Sequence, residues 1–325
     1  MQQKIGVLLT NTGTPDAPTT SAVRRYLREF LSDPRVVKIP RIIWLPILYF
    51  FILTFRPRRS AALYQKIWAA NESPMRTIMQ KLTTKLEHKL NADINKNIEI
   101  GMNYGNPSIK DALEKLRSAH IDKLIVLPLY PQYSNTTTAS TFDRVYTALH
   151  EWPALPAITM LRDYASHPEY ISALAQSVQD FWREHGQTEH LLISFHGLPK
   201  RFAEAGDPYP QQCEQTAIKL AEALNLSDHQ WTLCYQSQFG YDKWLQPSTQ
   251  ALLTELPLKN IRNIDVICPG FSIDCLETLD EIGKRGKKDF ITAGGNSLRL
   301  IPALNDSDSH VSLLNNLIQQ QCGPC

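Results

Sequence analysis

Apolar runs of strand length alternate with longer segments of helical period along this chain, and that alternation limits its fold more than any other feature. The runs are KIGVLLT (4–10), IEIGMNY (98–104), KLIVLPLY (123–130), HLLISFHG (190–197), WTLCYQ (231–236) and IDVICPG (264–270). Helical period fills Met75 to Leu90, Ile109 to Ala119, Tyr170 to Trp182 and Gln215 to Leu224. Such a pattern reads as βαβ units around a mainly parallel sheet. The halves also repeat one another: KIGVLLTNTGTP parallels HLLISFHGLP, and LIVLPLYPQYSNTTT parallels DVICPGFSIDCLET. The reading is two similar α/β domains, 1–160 and 161–325, with a boundary near Pro153 and Pro156, a size usual for two domains. Val311 to Gln320 is expected to be a helix packing back on the first domain. Halves facing each other would enclose one cleft with their strand-end loops.

Charge and cysteines narrow the class. A net charge of +2 gives no support to nucleic-acid binding or general membrane attraction. The start, MQQKIGVLLTNTG, lacks the charged-then-apolar order of a secretion signal. Six cysteines, at 213, 234, 268, 275, 322 and 325, show no disulfide framework, so a reducing cytoplasm is expected.

Residues 42–55, IIWLPILYFFILTF, depart from ordinary α/β patterning. They are almost wholly apolar, with Arg41 before them and Arg56, Arg58 and Arg59 after. The stretch is shorter than the ~20 residues of a membrane span. It reads either as a buried helix or as an exposed apolar lip with a basic collar, suited to a flat hydrophobic ligand with carboxylates or to shallow membrane docking.

Two strand ends in the second half carry chemistry. His196 stands where an apolar strand gives way to a Gly-Pro loop, the place at which open α/β sheets hold ligands. Taken alone it is as easily a core histidine bonded to backbone. After the strand 264–270 the segment CPGFSIDCLETLDEI turns helical. An α-helix there would put Asp274, Glu277 and Glu281 on one face at i, i+3 and i+7, either as a solvated acidic face or as a line for protons or cations. A histidine and a carboxylate from two strand ends can hold a divalent ion with open positions, or relay protons.

These residues match a family. SFHGLP, GDPYPQQC and CPGFSIDCLETLDEI, together with LLTNTGTPDAP, FLSDPRVV, LPLYPQYSNTTTAST and QSQFGYDKWLQP, resemble ferrochelatases over nearly the whole chain. The resemblance implies a chelatase-like fold, with two similar Rossmann-like domains, each a parallel four-stranded sheet flanked by helices, and a cleft between them. It implies insertion of Fe²⁺ into protoporphyrin IX with loss of two pyrrole protons, the final step of haem synthesis. It assigns His196 and Glu277 as catalytic and metal-binding residues, Asp274 and Glu281 as an accessory acidic line, and Tyr64, Ser73, Tyr130, Trp244 and Phe271 as the porphyrin pocket. Segment 42–55 corresponds to the lip, whose arginines suit the propionates. A monomer touching the inner face of the plasma membrane peripherally through 42–55 is the implied state.

Departures from the family pattern bear on cofactors. Some members hold a [2Fe–2S] cluster through a cysteine just after PQYS and several near the C-terminus. Here Asn135 follows PQYS and only Cys322 and Cys325 lie at the tail, so no cluster and no permanently bound cofactor is expected. The tail CGPC reads as a metal-scavenging segment rather than a redox site, because no helix follows it. Cys275 occupies a position where many members have histidine. The alternatives are a chelatase for coproporphyrin or for cobalt or nickel, and a non-catalytic haem- or metal-binding protein. The pronounced lip favours the less polar protoporphyrin.

Overall fold

The computed structural model describes residues 3–69, 72–90, 96–240 and 242–322. Its strands are β1 (Ile5–Asn11), β2 (Lys96–Met102), β3 (Lys123–Pro128), β4 (Ala157–Met160), β5 (His190–His196), β6 (Trp231–Gln236), β7 (Asn263–Ile267) and β8 (Ser297–Leu300). They form two four-stranded sheets, ordered β2-β1-β3-β4 and β6-β5-β7-β8, and every pairing is parallel. The described residues divide into two compact units. One comprises Met1–Tyr130, Ser134–Asp163 and Asp306–Cys325, the other Pro131–Tyr133 and Tyr164–Asn305.

In each unit the central strands are apolar without alternation because helices cover both sheet faces. β1 is buried along its whole length. On one face of the first sheet, Leu8, Leu124 and Val126 pack with Leu113 and Leu116 of helix Ile109–Ser118 and Val145 of helix Thr138–Leu149. In the second unit Leu192, Ile264 and Val266 pack with Leu253, Phe290 and Leu298. The C-terminal helix Asp308–Cys322 buries Val311, Leu314 and Ile318. It lies against helix Pro74–Leu90, where Lys89 Nζ donates to Ser312 Oγ at 2.6 Å.

The apolar stretch combines both readings allowed by its sequence. Helix Arg41–Pro46 passes directly after Pro46 into a π-helix, Ile47–Ile52, and then into helix Leu53–Ile67. The change of register coincides with a residue that has no N–H to give to the α ladder. Trp44, Leu48 and Leu53 are buried, with Trp44 Nε1 donating to Leu31 O at 2.7 Å and Arg24 Nε to Leu53 O at 2.9 Å. The rest faces outward: Ile42 is 86% exposed, Phe50 72%, Phe51 63% and Phe55 72%. No helix among the described residues is long and apolar enough to cross a membrane.

His190 opens β5 and is buried, its ring between His229 O (Nδ1, 3.0 Å) and Thr232 Oγ1 (Nε2, 2.9 Å). A neutral imidazole satisfies both contacts by donating from Nδ1 and accepting at Nε2. Burial holds its proton affinity below the ordinary value of 6.5. The unfolded chain therefore binds this proton more readily, and stability falls as pH drops below about 6.5. The thermal midpoint should decline across that window, and the decline should be shallower in His190→Gln. An identical pH slope in the variant would remove His190 as its source.

Candidate functional site

The central strand of the second sheet delivers His196 to its carboxyl end, where β5 still pairs with β6 through His196 and Gln236. The imidazole Nδ1 lies 2.7 Å from Gly197 O, an acceptor, so the proton sits on Nδ1 and Nε2 is the basic atom. Tyr209 OH donates to His196 O at 3.0 Å and holds the strand's last peptide. The Phe271 ring lies 6.2 Å from the imidazole, tilted by 57°. Gly197 donates its N–H to Gln236 O at 2.7 Å. A Cβ at 197 would stand 2.6 Å from that oxygen and 3.1 Å from the Trp244 ring, so the close approach excludes any side chain. Trp244 is buried, with Nε1 donating to Phe239 O at 3.0 Å.

The acidic segment corrects the helical reading made from its spacing. Glu277–Gly286 is a π-helix, not an α-helix, and Asp274 precedes it. Asp274 is buried; one oxygen accepts from Thr278 Oγ1 at 2.8 Å and the other from Asn305 Nδ2 at 2.7 Å. Its backbone N–H donates to Asn305 Oδ1 at 2.9 Å. The expected face of three acids is therefore two acids plus an anchored one. Hydrogen bonds closing i→i+5 make a wider turn, within which Glu277 and Glu281 still fall on one side.

Glu281 is gripped at both oxygens by Ser237, whose backbone N–H and Oγ each donate at 2.7 Å. Burial raises the proton affinity of this carboxyl above the ordinary value of 4.5, and the charge of Glu277 adds to the rise. The Ser237 hydrogen bonds and the charge of His196 act in the opposite direction. The histidine and the two glutamates thus form one electrostatic neighbourhood. The Cys275 thiol hydrogen-bonds to Glu277; burial, then that carboxylate's charge, keeps it protonated well above the usual thiol range. Among the described residues, no three His, Cys, Asp or Glu side chains gather as a metal-holding group.

In the first unit the three expected pocket residues surround one loop, Thr12 to Thr14, which follows β1 as His196 to Leu198 ends and follows β5. Tyr130 OH lies 3.0 Å from Thr12 Oγ1, and Ser73 Oγ donates to Thr14 Oγ1 at 3.0 Å. Tyr64 meets Tyr26 edge-on at 6.5 Å, and Tyr26 OH donates to Gly13 O at 3.2 Å. Gly13 has φ +99°, and a Cβ there would fall 1.9 Å from Tyr104 O, so only glycine serves. Trp244 and Phe271 belong to the second unit, beside Gly197 and His196.

Cys213, Cys234, Cys268 and Cys275 are free and buried, and Cys322 is half-buried. Asn135 Oδ1 accepts from Arg35 Nη1 at 2.7 Å. Cys325, the other half of the tail dithiol, lies outside the described residues.

Known proteins give this geometry its context. The family model for ferrochelatase matches residues 4–322. The chain belongs to the ferrochelatase family. It is 49% identical to Ferrochelatase 1 of Shewanella oneidensis over 97% of this chain and 95% of that protein. It is also 49% identical to the ferrochelatase of Methylococcus capsulatus, over 97% and 96%. SirB from Bacillus subtilis, solved with Fe³⁺, superposes with a TM-score of 0.59 at 12% identity, covering 99% of this chain and 96% of that one. CbiX, described as the terminal enzyme for siroheme biosynthesis in denitrifying bacteria, gives 0.52 at 10% identity, over 98% and 99%. At such identity these two likenesses concern the fold, two four-stranded parallel sheets flanked by helices. Ferrochelatases are metal-inserting lyases of haem synthesis.

Residues outside the sequence reading also build the site: Gln236, Ser237, Tyr209, Thr278 and Asn305. Tyr209, Gln236, Ser237 and Thr278 lie inside family-like motifs, but nothing in their spacing marks them as supports. For Glu281 the raised proton affinity has a defined consequence. If Glu281 takes up a proton during turnover, the acidic limb of the kcat–pH profile should lie above pH 4.5. Glu281→Gln should lower the plateau and remove that limb; an unaltered limb would exclude Glu281 as its origin.

Proposed function

We propose that this protein inserts Fe²⁺ into protoporphyrin IX, with His196 and Glu277 performing the exchange of metal for protons. The supporting observation is an imidazole at the end of β5 whose Nδ1 is engaged by Gly197 O, so that Nε2 is the ring nitrogen available for metal or proton, and, in the same electrostatic neighbourhood, a glutamate opening a π-helix. Such a pair leaves coordination positions open, as a substrate ion requires. Metallation must remove two pyrrole protons as the ion sheds its water. His196 Nε2 and the Glu277 carboxylate hold the arriving Fe²⁺; when it passes to the ring nitrogens, the freed lone pairs accept the two displaced protons. Glu281, with its raised proton affinity, is the next acceptor from Glu277. Asp274, with both oxygens occupied, anchors the start of the π-helix.

The porphyrin is assigned to Tyr64, Ser73, Tyr130, Trp244 and Phe271, with the apolar lip favouring protoporphyrin over the four-propionate coproporphyrin. Iron is substrate, and no [2Fe–2S] cluster or permanent cofactor is required. The protein is proposed to work as a monomer at the cytoplasmic face of the membrane, touching it through Phe50, Phe51 and Phe55 beside Arg58 and Arg59.

Anaerobic assays with purified protein, Fe²⁺ and protoporphyrin IX should show His196→Ala and Glu277→Gln reduced by about 10²- to 10⁴-fold, with haem binding retained. Wild-type rates in both variants would dismiss the assigned pair, and a faster reaction with coproporphyrin would reassign the substrate. Replacing Phe50, Phe51 and Phe55 together by serine should abolish sedimentation with anionic phospholipid vesicles while leaving the thermal midpoint unchanged, since all three are exposed. Unchanged sedimentation would rule out the lip as the membrane contact.

A further inference from the structure

The carboxyl end of β6 contains two residues that bridge the strand carrying His196 and the helix carrying the glutamates. Gln236 Nε2 donates to Glu277 O at 2.8 Å, at the first residue of the π-helix. Its Oε1 accepts from Ser194 Oγ at 2.9 Å and Cys268 Sγ at 3.4 Å, and Ser194 Oγ lies 2.8 Å from Thr249 Oγ1. The Gln236 backbone carbonyl receives the Gly197 N–H at 2.7 Å, one residue beyond His196. The residue is 2% exposed, so its amide is oriented by fixed partners on β5, just beyond β7 and at the start of the π-helix.

Ser237 continues the bridge. Its φ of +62° is a left-handed conformation uncommon for a residue with a side chain. That conformation turns both its N–H and its hydroxyl towards Glu281, one on each carboxylate oxygen. Consecutive residues thus hold consecutive points of the acidic helix, the backbone at Glu277 and the carboxylate at Glu281. A local strain coinciding with a bidentate grip on a functional group is the situation in which strain has a purpose.

We infer that Gln236 and Ser237 act as positioning residues that fix where Glu277 and Glu281 stand relative to His196. Neither needs to touch iron or porphyrin. Gln236 sets the spacing of the two metal-holding residues, because one amino acid contacts the peptides beside both. Ser237 sets the direction of the Glu281 oxygens. This inference rests on the proposed roles of His196, Glu277 and Glu281.

The test uses anaerobic steady-state kinetics with Fe²⁺ and protoporphyrin IX, varied separately, alongside thermal unfolding. Gln236→Leu keeps the volume and removes the hydrogen bond to Glu277 O together with those from Ser194 and Cys268. It should raise KM for Fe²⁺ about fivefold to tenfold, the range expected when the one hydrogen bond that reaches Glu277 is lost, with KM for porphyrin within twofold of wild type. Ser237→Gly suits the left-handed backbone, retains the N–H and deletes the hydroxyl; kcat should fall about threefold to tenfold. Ser237→Asn, which tolerates the same backbone and restores a side-chain donor, should recover at least half of that loss. A purely structural role predicts lower thermal midpoints with both KM values and kcat at wild-type levels, and that result would overturn the inference. So would failure of Asn to rescue a folded Ser237→Gly protein. If wild type inserts iron and His196→Ala does not, yet Gln236→Leu is kinetically normal, the support role fails while the proposed reaction stands. If wild type inserts no iron, the proposed reaction itself fails.

Discussion

A parallel strand can be paired only after the chain has crossed back over the sheet, and every pairing in both sheets obeys that constraint. Each strand therefore ends at the same edge as its neighbours, and the loops that leave them collect there. In the first sheet this edge holds Thr12, Gly13 and Thr14 after β1, with Ser73 and Tyr130 bonded to them. In the second it holds His196, Gly197, Gln236 and Phe271. The apolar strands provide the burial, and their ends provide the chemistry.

The acidic helix stands on a balance between desolvation and hydrogen bonding. Removing a carboxylate from water is costly unless donors replace the water. Glu281 receives two such donors and still keeps a raised proton affinity, because burial and Glu277 outweigh them. Asp274 is buried as well and also receives two side-chain donors. The difference lies in what surrounds each acid: Asp274 sits in a closed ring with Thr278 and Asn305, whereas Glu281 faces Glu277 and His196. Two acids seven residues apart are thus suited to different tasks by their partners.

Much of this was legible in the sequence. The six apolar runs all overlap observed strands, four of them the central strands β1, β3, β5 and β7 and two the edge strands β2 and β6. β4 (AITM) and β8 (SLRL) escaped the pattern because runs of only four residues are too short to stand out from their surroundings. The place of His196 at a strand end was visible through the apolar run before it. The π-helix was not, since a run such as ETLDEIGKRG satisfies an α-helical period equally well and the wider register is imposed by tertiary contacts. Asp274 was misplaced for the same reason: an i, i+3, i+7 spacing assumes an α-helix that begins before it. Ser237 lies inside the QSQFGYDKWLQP motif, but its left-handed backbone was not legible there, since serine rarely marks such a residue.

The wide register from Glu277 to Gly286 also bears on which substitutions the segment tolerates. In an α-helix each residue advances about 100° around the axis. Tightening the segment to an α-helix at unchanged length would carry Glu281 about 40° past one full turn from Glu277 and swing its carboxylate away from Ser237. The wide turn in this short interval is therefore as constrained as residue identity, whereas the exposed side of the lip can change composition without disturbing Trp44, Leu48 and Leu53 beneath it.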